Sequence, residues 1–591
     1  MDSMPGQPLN AEQRSYLEGL FCGLKERGLT FADVEPNPVR QPEKASANPL
    51  PAAENLVLEE RIKKELHPLD AYPLLLENAA SENPPDRENI FRFKWHGLFY
   101  LTPHKEAFMA RLRIPAGQVK TFQLREVAQV AKDLTSGYVQ ITTRANFQLR
   151  LIKPKDAPEF LRRIQSVGLH TRGAGADNIR NITANPAAGI DPHELIDTSP
   201  FCHQLAQFII NHREFYDLPR KFNIAFDGGG LIGTVEDTND IGVRAVRTIR
   251  DHEGLEPGVY FRIAVGGATG HQKFARDLGV LVRPEQITKV IVAMIRVYIA
   301  HGNRNDRKKA RLKHLLDSWP FDKFLAETEA LLGWTLTRAP AHTETDPFFD
   351  CHPHPGPPHS HVGLFPQKQP GLNYIGVSIP VGQITPKQLL RLAEIADLYG
   401  SGEIRLTVWQ NLIIPNVADG FVETVKKAVI RTGLDWRQSN LRSGLIACTG
   451  NSYCKFASAN TKGHALELVD YLEKRIELDQ PLNIHLTGCP NSCAQHYMGD
   501  IGLLATKVKV SGETVEGYHV FVGGGFGSHQ AIGRQVFQGI SIEQLKPTLE
   551  KMLRAYTSNR HPGETFQSFT QRHDLNALQM LFADDLKSGN S

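Results

Sequence analysis

Most of this sequence is written twice, and that constrains its fold more than any other feature. Gly97-Leu98-Phe99 returns as Gly363-Leu364-Phe365, and IPAGQVKTFQL from Ile114 returns as IPVGQITPKQL from Ile379. Ser136-Gly137, Thr142 and Asn146 match Ser401-Gly402, Thr407 and Asn411. Further on, Asn178-Ile179-Arg180 matches Asn440-Leu441-Arg442, Asn223-Ile224 matches Asn483-Ile484, and Asp240-Ile241-Gly242 matches Asp500-Ile501-Gly502. The separation between partners drifts only from 266 residues at Gly97/Gly363 to 258 at Met294/Met552. Chance matches would not keep order over such a span, so a single duplication with small insertions and deletions explains them. The expected product is a body with pseudo-two-fold symmetry whose duplicated parts pack together. A cleft between them is the natural place for a ligand.

Each half divides again. Its first part reads strand, helix, strand, with helical stretches at 123–134 and 388–398 followed by alternating strands at 138–143 and 403–408. Its larger second part mixes apolar strands with Gly-rich turns and closes on an amphipathic helix, 284–300 or 542–556. The fold class is therefore α+β. The expected units are an N-terminal extension and linker over 1–56, small parts at 57–160 and 371–425, and larger parts at 161–338 and 426–591. A Pro/His-rich connection over 339–370 joins the halves. A helix is expected over 11–27 and a Pro-rich linker near 35–51. Within the connection, Cys351, His352, His354, His359 and His361 are of metal-ligating type, but the many prolines around them favour an exposed linker.

Charge and composition narrow the function classes. A net charge of +3 over 591 residues gives no electrostatic case for nucleic acid. No stretch reaches the ~18 uncharged apolar residues of a membrane span. The first residues have neither a basic nor an apolar region of the kind a signal peptide needs, so a cytoplasmic protein is expected. Seven cysteines, an odd number in a chain this long, do not suggest a disulfide framework; Cys22, Cys202 and Cys351 read as free thiols.

The halves differ where chemistry would sit. Only the second half carries Cys448 and Cys454, spaced C-x5-C, and Cys489 and Cys493, spaced C-x3-C, with 34 residues between the pairs. Four thiolates suit a tetrahedral zinc ion or an iron–sulfur cluster, and the longer first spacing counts against zinc. The first half instead carries cations that its partner lacks: Arg111 aligns with Gly376, Arg144 with Trp409, and Lys221 with Pro481. One such loss would mean little. Three in register point to an asymmetric site, with anion-binding side chains from one half and a metal centre from the other.

With these features in view, the chain resembles the siroheme-containing nitrite and sulfite reductases of the assimilatory type. CTGNSYC and TGCPNSC are similar to that family's cluster signature, and TTRANFQLR, LPRKFN and ADNIRNITANPAAGIDP to its companion motifs. The resemblance runs from about Arg92 to Arg560. It implies the internally duplicated nitrite/sulfite reductase fold, with two ferredoxin-like half-domains and two larger α/β cofactor domains. It implies a 4Fe–4S cluster held by Cys448, Cys454, Cys489 and Cys493, with Cys493 also serving as axial thiolate to siroheme iron. Arg111, Arg144, Lys221 and Asn223 would contact the substrate. Siroheme bears eight carboxylates, so its pocket needs many cationic and amide donors. Arg113, Arg150, Arg180 and Arg220 are candidates, beside Gln148, Asn178 and Asn181.

In the resembling family, nitrite reductases carry Lys-x-Asn where sulfite reductases carry Lys-x-Lys, and here the residues are Lys221 and Asn223. The resemblance therefore points to reduction of nitrite to ammonium, with sulfite reduction as the alternative. A non-catalytic scaffold would be expected to have lost site residues, and none is missing. No G-x-G-x-x-G follows a strand, and no sequence is left over for a flavin module, so the electrons should come from a separate carrier. Reduced ferredoxin is the expected donor and flavodoxin the second choice, with Lys455 and Lys462 as exposed docking candidates on an otherwise monomeric enzyme.

Overall fold

The Ile-Pro-x-Gly segment, present once in each half, decides how the halves are joined. The structure, a computed structural model, describes residues 3–4, 7–8, 56–101, 106–339, 348–350 and 359–583. The helix expected over 11–27, the linker near 35–51, Cys22, Cys351, His352 and His354 lie outside those residues. In the first small part, β1 (Leu98–Leu101) and β2 (Ala107–Arg111) lead into β3 (Gln118–Lys120) and helix α1 (Thr121–Leu134). Then come β4 (Val139–Ile141) and β5 (Phe147–Ile152). The larger part that follows is a mixed sheet. β6 (Ile179–Thr183), β7 (Phe222–Asp227) and β8 (Ile241–Thr248) run parallel, and β9 (Gly258–Val265) and β10 (Arg276–Val282) run antiparallel. Helix α2 (Ile287–His301) packs on it, with Ile291, Ile295 and Tyr298 fully buried.

The second half repeats this plan. β11 (Gly363–Pro366), β12 (Leu372–Val377), β13 (Gln383–Ile384), α3 (Pro386–Tyr399), β14 (Glu403–Leu406) and β15 (Leu412–Ala418) form its small part. β16 (Leu445–Ala447), β17 (Ile484–Thr487) and β18 (Ile501–Val510) run parallel, and β19 (Glu513–Val522) and β20 (Arg534–Ser541) complete the large sheet antiparallel. Helix α4 (Thr461–Glu473) precedes β17, and α5 (Ile542–Asn559) closes the unit. Within the described residues, the helices and strands expected in the two repeats are present within a few residues of their expected ends.

The two small sheets exchange strands. β3 leaves the first half and pairs with β14, placing Val119 opposite Ile404, while β13 leaves the second half and pairs with β4, placing Ile384 opposite Val139. The sheet orders are β13-β4-β5-β2-β1 and β11-β12-β15-β14-β3. Both crossings turn on a residue with positive φ, Ala116 at 56° and Val381 at 49°, followed by a glycine. Those glycines are sterically required: a Cβ on Gly117 would meet the Leu406 carbonyl at 2.5 Å, and one on Gly382 would meet the Ile141 carbonyl at 2.5 Å.

The helices after the crossings pack on each other. α1 presents Leu124, Val127, Ala128 and Ala131 at helical spacing, and α3 presents Leu389, Leu392, Ala393 and Ala396, all buried in one continuous core. Thr385 and Gln388 cap α3 reciprocally, with Pro386 at its first turn. Polar contacts cross the same seam. Lys120 pairs with Glu403 at 2.6 Å, and Asp397 receives both Arg125 and the Thr121 hydroxyl. Arg405 reaches back from β14 to the Pro186 and Ala188 carbonyls at 3.1 and 2.6 Å.

Because each small sheet borrows a strand and shares a core, neither half should be stable alone. Residues 57–338 and 371–591, expressed separately, should show no cooperative thermal transition by circular dichroism, whereas the full chain should. A sharp transition in either fragment by itself would contradict the shared core.

Candidate functional site

The turns that follow the exchanged strands point at the cysteine loops. Between β4 and β5, the Thr142 N–H donates to the Asn146 carbonyl at 3.0 Å, and Ala145 adopts φ 47°. This tight turn projects Arg144, and its Thr143 hydroxyl donates to the Cys493 carbonyl at 3.1 Å. Asn181 pins the same turn by donating to the Arg144 carbonyl at 2.9 Å. The Arg144 guanidinium donates to Asn239 Oδ1 at 2.8 Å and, with the Asn223 amide oxygen turned toward it, to Asn223 at 3.1 Å. Arg111, at the end of β2, lies over the Phe99 ring at 4.6 Å and donates to the Ala174 carbonyl at 3.2 Å.

These cations crowd one another around Cys493. Burial pulls the Arg111 and Arg144 guanidinium groups down to about 10, and in both cases Cys493 opposes the shift. Burial pulls the Lys221 ammonium down to about 7; Arg311 adds repulsion, Cys493 opposes it, and Arg180 and Arg144 repel it further. Arg180 is held well below its usual range by burial and then by Arg111. Burial drives the Cys493 thiol up to about 11; Lys221 opposes that rise, and Cys448, Cys489 and Cys454 add to it. Yet the Cys493 side chain is exposed. Cys493 thus sits among these cations and thiols and is still reachable from solvent.

The other cysteines gather beside it. The Cys448 N–H donates to the Leu486 carbonyl at 3.0 Å, placing this cysteine at the end of β16, and its Sγ accepts the Gly488 N–H at 3.1 Å. The Cys454 N–H closes back on the Gly450 carbonyl at 3.1 Å, and Cys489 Sγ accepts the Asn491 side chain at 3.5 Å. Among the described residues, no three His, Cys, Asp or Glu side chains converge tightly enough to hold a single metal ion. Cys493 is electrostatically coupled to Cys448, Cys489 and Cys454, and four neighbouring thiolates can each bind one iron of a polynuclear cluster.

Several of the expected cofactor contacts already hold protein partners. Arg113 is buried, and its guanidinium donates to the Arg172, Gly173, Ile179 and Arg180 carbonyls, so it staples the loop before β6. Asn181 is likewise fully engaged, accepting from the Ile114 N–H at 2.8 Å and donating to three carbonyls. Arg150 donates to Gln140 and Gln148 at 2.9 and 2.7 Å and to the Thr449 hydroxyl at 2.7 Å, on the cluster side. Arg220 faces Asp177 at 3.5 Å. Lys462, expected to be exposed, is buried; Lys455 is exposed, with its ammonium 5.4 Å from the exposed Phe456 ring. Two groups do aim unpartnered atoms from buried positions: Asn178 Nδ2 and Arg180 Nε.

Sequence reasoning missed the support beneath the site. Arg311 grips Asp240 through two hydrogen bonds of 2.9 and 2.7 Å, both residues being buried. Asp240 Oδ2 in turn accepts the Asn223 N–H at 2.9 Å. Asp240 could have been found, because Asp500 repeats it; Arg311, 71 residues away, carries no local signal.

The second half closes its counterpart of this site. The three positions equivalent to Asn223, Arg144 and Arg111 are Asn483, Trp409 and Gly376. His359 contacts Asn483 Oδ1 at 2.9 Å, and His361 stacks on Trp409 with centroids 5.5 Å apart and planes 12° apart. The His361 carbonyl lies where any side chain at Gly376 would have to go. The end of the connection is thus buried, not exposed as its prolines suggested. His359 and His361 plug the duplicate pocket.

Residues 175–336 and 439–586 match the family described as the nitrite and sulphite reductase 4Fe-4S domain, and 102–167 and 365–431 match the nitrite/sulfite reductase ferredoxin-like half domain. The chain belongs to the nitrite and sulphite reductase family. It is 36% identical over 521 residues to a ferredoxin–nitrite reductase of Leptolyngbya laminosa, spanning 85% of this chain and 98% of that one. It is 31% identical over 530 residues to an assimilatory ferredoxin-dependent nitrite reductase of Haloferax mediterranei, spanning 86% and 90%. The solved structure of the Mycobacterium tuberculosis NirA protein superposes with a TM-score of 0.81 at 29% identity, covering 88% of this chain and 97% of that one. Family members are enzymes that carry a 4Fe–4S cluster and siroheme. The residues present fit both groups: four neighbouring thiols for the cluster, and mutually repelling cations with unpartnered donors for a polycarboxylate. Among the described residues, no helix is long and apolar enough to cross a membrane.

The duplicate pocket yields a pH test. Asp500 has no ion pair among the described residues, and burial raises its carboxyl to about 7, opposed by the Asn483 N–H at 2.7 Å. A carboxyl that holds its proton more tightly when folded costs stability as pH rises from the ordinary carboxylate range through about 7. Asp500→Asn keeps an acceptor and removes that cost. The variant should melt above the parent at about pH 8 and lose the advantage by about pH 4; parallel melting curves that do not converge would contradict it.

Proposed function

We propose that this protein reduces nitrite to ammonium with electrons from reduced ferredoxin. The observation that carries this is the set of three cations, Arg111, Arg144 and Lys221, each electrostatically tied to the deep but exposed Cys493 thiol. Cys448, Cys454, Cys489 and Cys493 would hold the cluster, with Cys493 shared with siroheme iron, and Arg180, Arg220, Gln148 and Asn178 would meet siroheme carboxylates. When bound, these groups supply one-electron storage and an iron on which the substrate can sit. The protein's own part is charge and protons. Arg111 and Arg144 bind the anion and stabilise charge on each departing oxygen. Asn223 and Asn239 fix the Arg144 fork, and Asp240 with Arg311 fixes Asn223.

Lys221 is suited to proton delivery. Burial pulls its ammonium down from the usual lysine range, which eases release of a proton toward a departing oxygen. Nitrite suits this pocket better than sulfite. Asn223 adds no charge beside Lys221, and nitrite is monoanionic where sulfite is partly dianionic. We place the enzyme in the cytoplasm as a monomer, with free thiols such as buried Cys202 in keeping with a reducing compartment.

The direct test is iron, sulfide and visible-spectrum measurement on the purified protein, followed by paired nitrite and sulfite turnover with reduced ferredoxin. A colourless, iron-free protein would refute the proposal. Arg144→Ala should lower nitrite kcat/KM by on the order of 10²-fold or more, while Trp409→Ala, at the equivalent position of the plugged pocket, should cost far less if folded. Comparable losses would remove the asymmetric site. Asn223→Lys should raise the ratio of sulfite to nitrite turnover, and an unchanged ratio with intact cofactors would sink the substrate assignment. Ferredoxins are usually acidic, so docking should use exposed cations such as Lys455 near Cys454. Turnover at limiting ferredoxin should then fall with salt, which screens over ~8 Å at physiological strength, and turnover with a small uncharged reductant should fall much less. NADPH alone should support none.

A further inference from the structure

Lys462 lies on the first turn of α4, one residue after Thr461, and its side chain runs inward, leaving the residue 8% exposed. Its ammonium donates to the Val381 carbonyl and reaches the Ala447 carbonyl at 3.4 Å. Both acceptors are uncharged, and among the described residues no carboxylate pairs with it. Taking an ammonium out of water without an anion is expensive, and neutral carbonyls repay only part of that cost. The Ala447 carbonyl belongs to the residue just before Cys448, so the ammonium lies beside the first cysteine loop.

Cys448 is well defined. Its Sγ accepts the Gly488 N–H at 3.1 Å and sits 3.6 Å from the Thr461 hydroxyl, which itself donates to the Cys448 carbonyl at 2.8 Å. Two consecutive residues of α4 therefore present a hydroxyl and a cation to one side of this cysteine. A neutral donor would satisfy the Val381 and Ala447 carbonyls as well as an ammonium does, so packing alone gives no reason for a charge here.

We propose that Lys462 is a buried counter-charge to the iron–sulfur cluster that Cys448 helps to hold, and that it raises the cluster's reduction potential. The inference rests on the cluster assignment made under Proposed function. A fixed cation beside an electron acceptor stabilises the reduced, more negative state, and potentials of such clusters respond to net charge and to hydrogen bonds at sulfur. Because Lys462 is buried, added salt does little to screen it. It acts by easing transfer of one electron from the external donor onto the cluster; no bond forms or breaks.

The experiment is a redox titration of the holoenzyme followed by electron paramagnetic resonance of the reduced cluster, with iron and sulfide content measured alongside. Lys462→Met keeps the length and removes the charge. At a solution potential fixed at the wild-type midpoint, its reduced-to-oxidised ratio should fall about tenfold, a midpoint ~59 mV more negative for one electron. Lys455→Met, at the exposed neighbour, should leave the midpoint unmoved. A loaded Lys462→Met protein with an unchanged or more positive midpoint overturns the inference. If Lys462→Met loads no cluster, Lys462→Arg decides: restored cluster content with a near-wild-type midpoint supports the counter-charge, while a displaced midpoint or a second failure to load overturns it in favour of packing. A wild-type protein without any cluster would overturn the inference and the cluster assignment together, whereas an unmoved midpoint overturns the inference alone.

Discussion

The position of every cation in the cleft depends on two short strands that leave their own sheets. β3 and β13 cross to the opposite half over turns so tight that Gly117 and Gly382 touch carbonyls of the partner sheet. The exchange merges two small sheets into one core and fixes the facing turns at 142–146 and 407–411 on either side of the pseudo-axis. One turn projects Arg144 and holds the Cys493 carbonyl through Thr143; the other projects Trp409, whose indole donates to the Gly233 carbonyl at 3.3 Å. Without the exchange, the cations of one half and the thiols of the other would have no common frame.

On that frame, duplication supplies two pockets and side-chain chemistry makes them unequal. The first keeps repelling cations close together, an arrangement costly in an empty protein and sensible only when polyanions and an anionic substrate share the cleft. It is supported from below by the Arg311–Asp240 pair. The second has lost its cations, fills the space with His359 and His361, and leaves Asp500 without a guanidinium. The same aspartate in the same fold thus has its carboxyl paired in one half and raised by burial in the other.

Lys462 shows how a local reading can invert. Beside a cluster loop and in a polar stretch, a lysine reads as a surface docking group, and Lys455 is one. Seven residues on, the first turn of α4 rolls the next lysine inward between the Val381 turn and the end of β16. The direction of a side chain at a helix start depends on what the helix packs against, here a loop contributed by the exchanged strand more than eighty residues earlier.

The sequence by itself determined the duplication, the α+β plan, the four clustered cysteines and the three lost cations, because these are written as repeat, period and spacing. It also marked Arg111, Arg144, Lys221 and Asn223, through asymmetry between copies and through resemblance. Only the tertiary structure decided which donors face the cleft. Arg113 and Asn181 look like cofactor ligands in a linear motif, yet they turn to backbone carbonyls that fold beside them, since a buried carbonyl must find a donor. Arg311 joins the site from 71 residues beyond Asp240, and the connection's histidines close a pocket whose existence depends on the second copy folding like the first. Spacing records what lies along the chain; the strand exchange, which brings distant segments into one core, decides what each side chain meets.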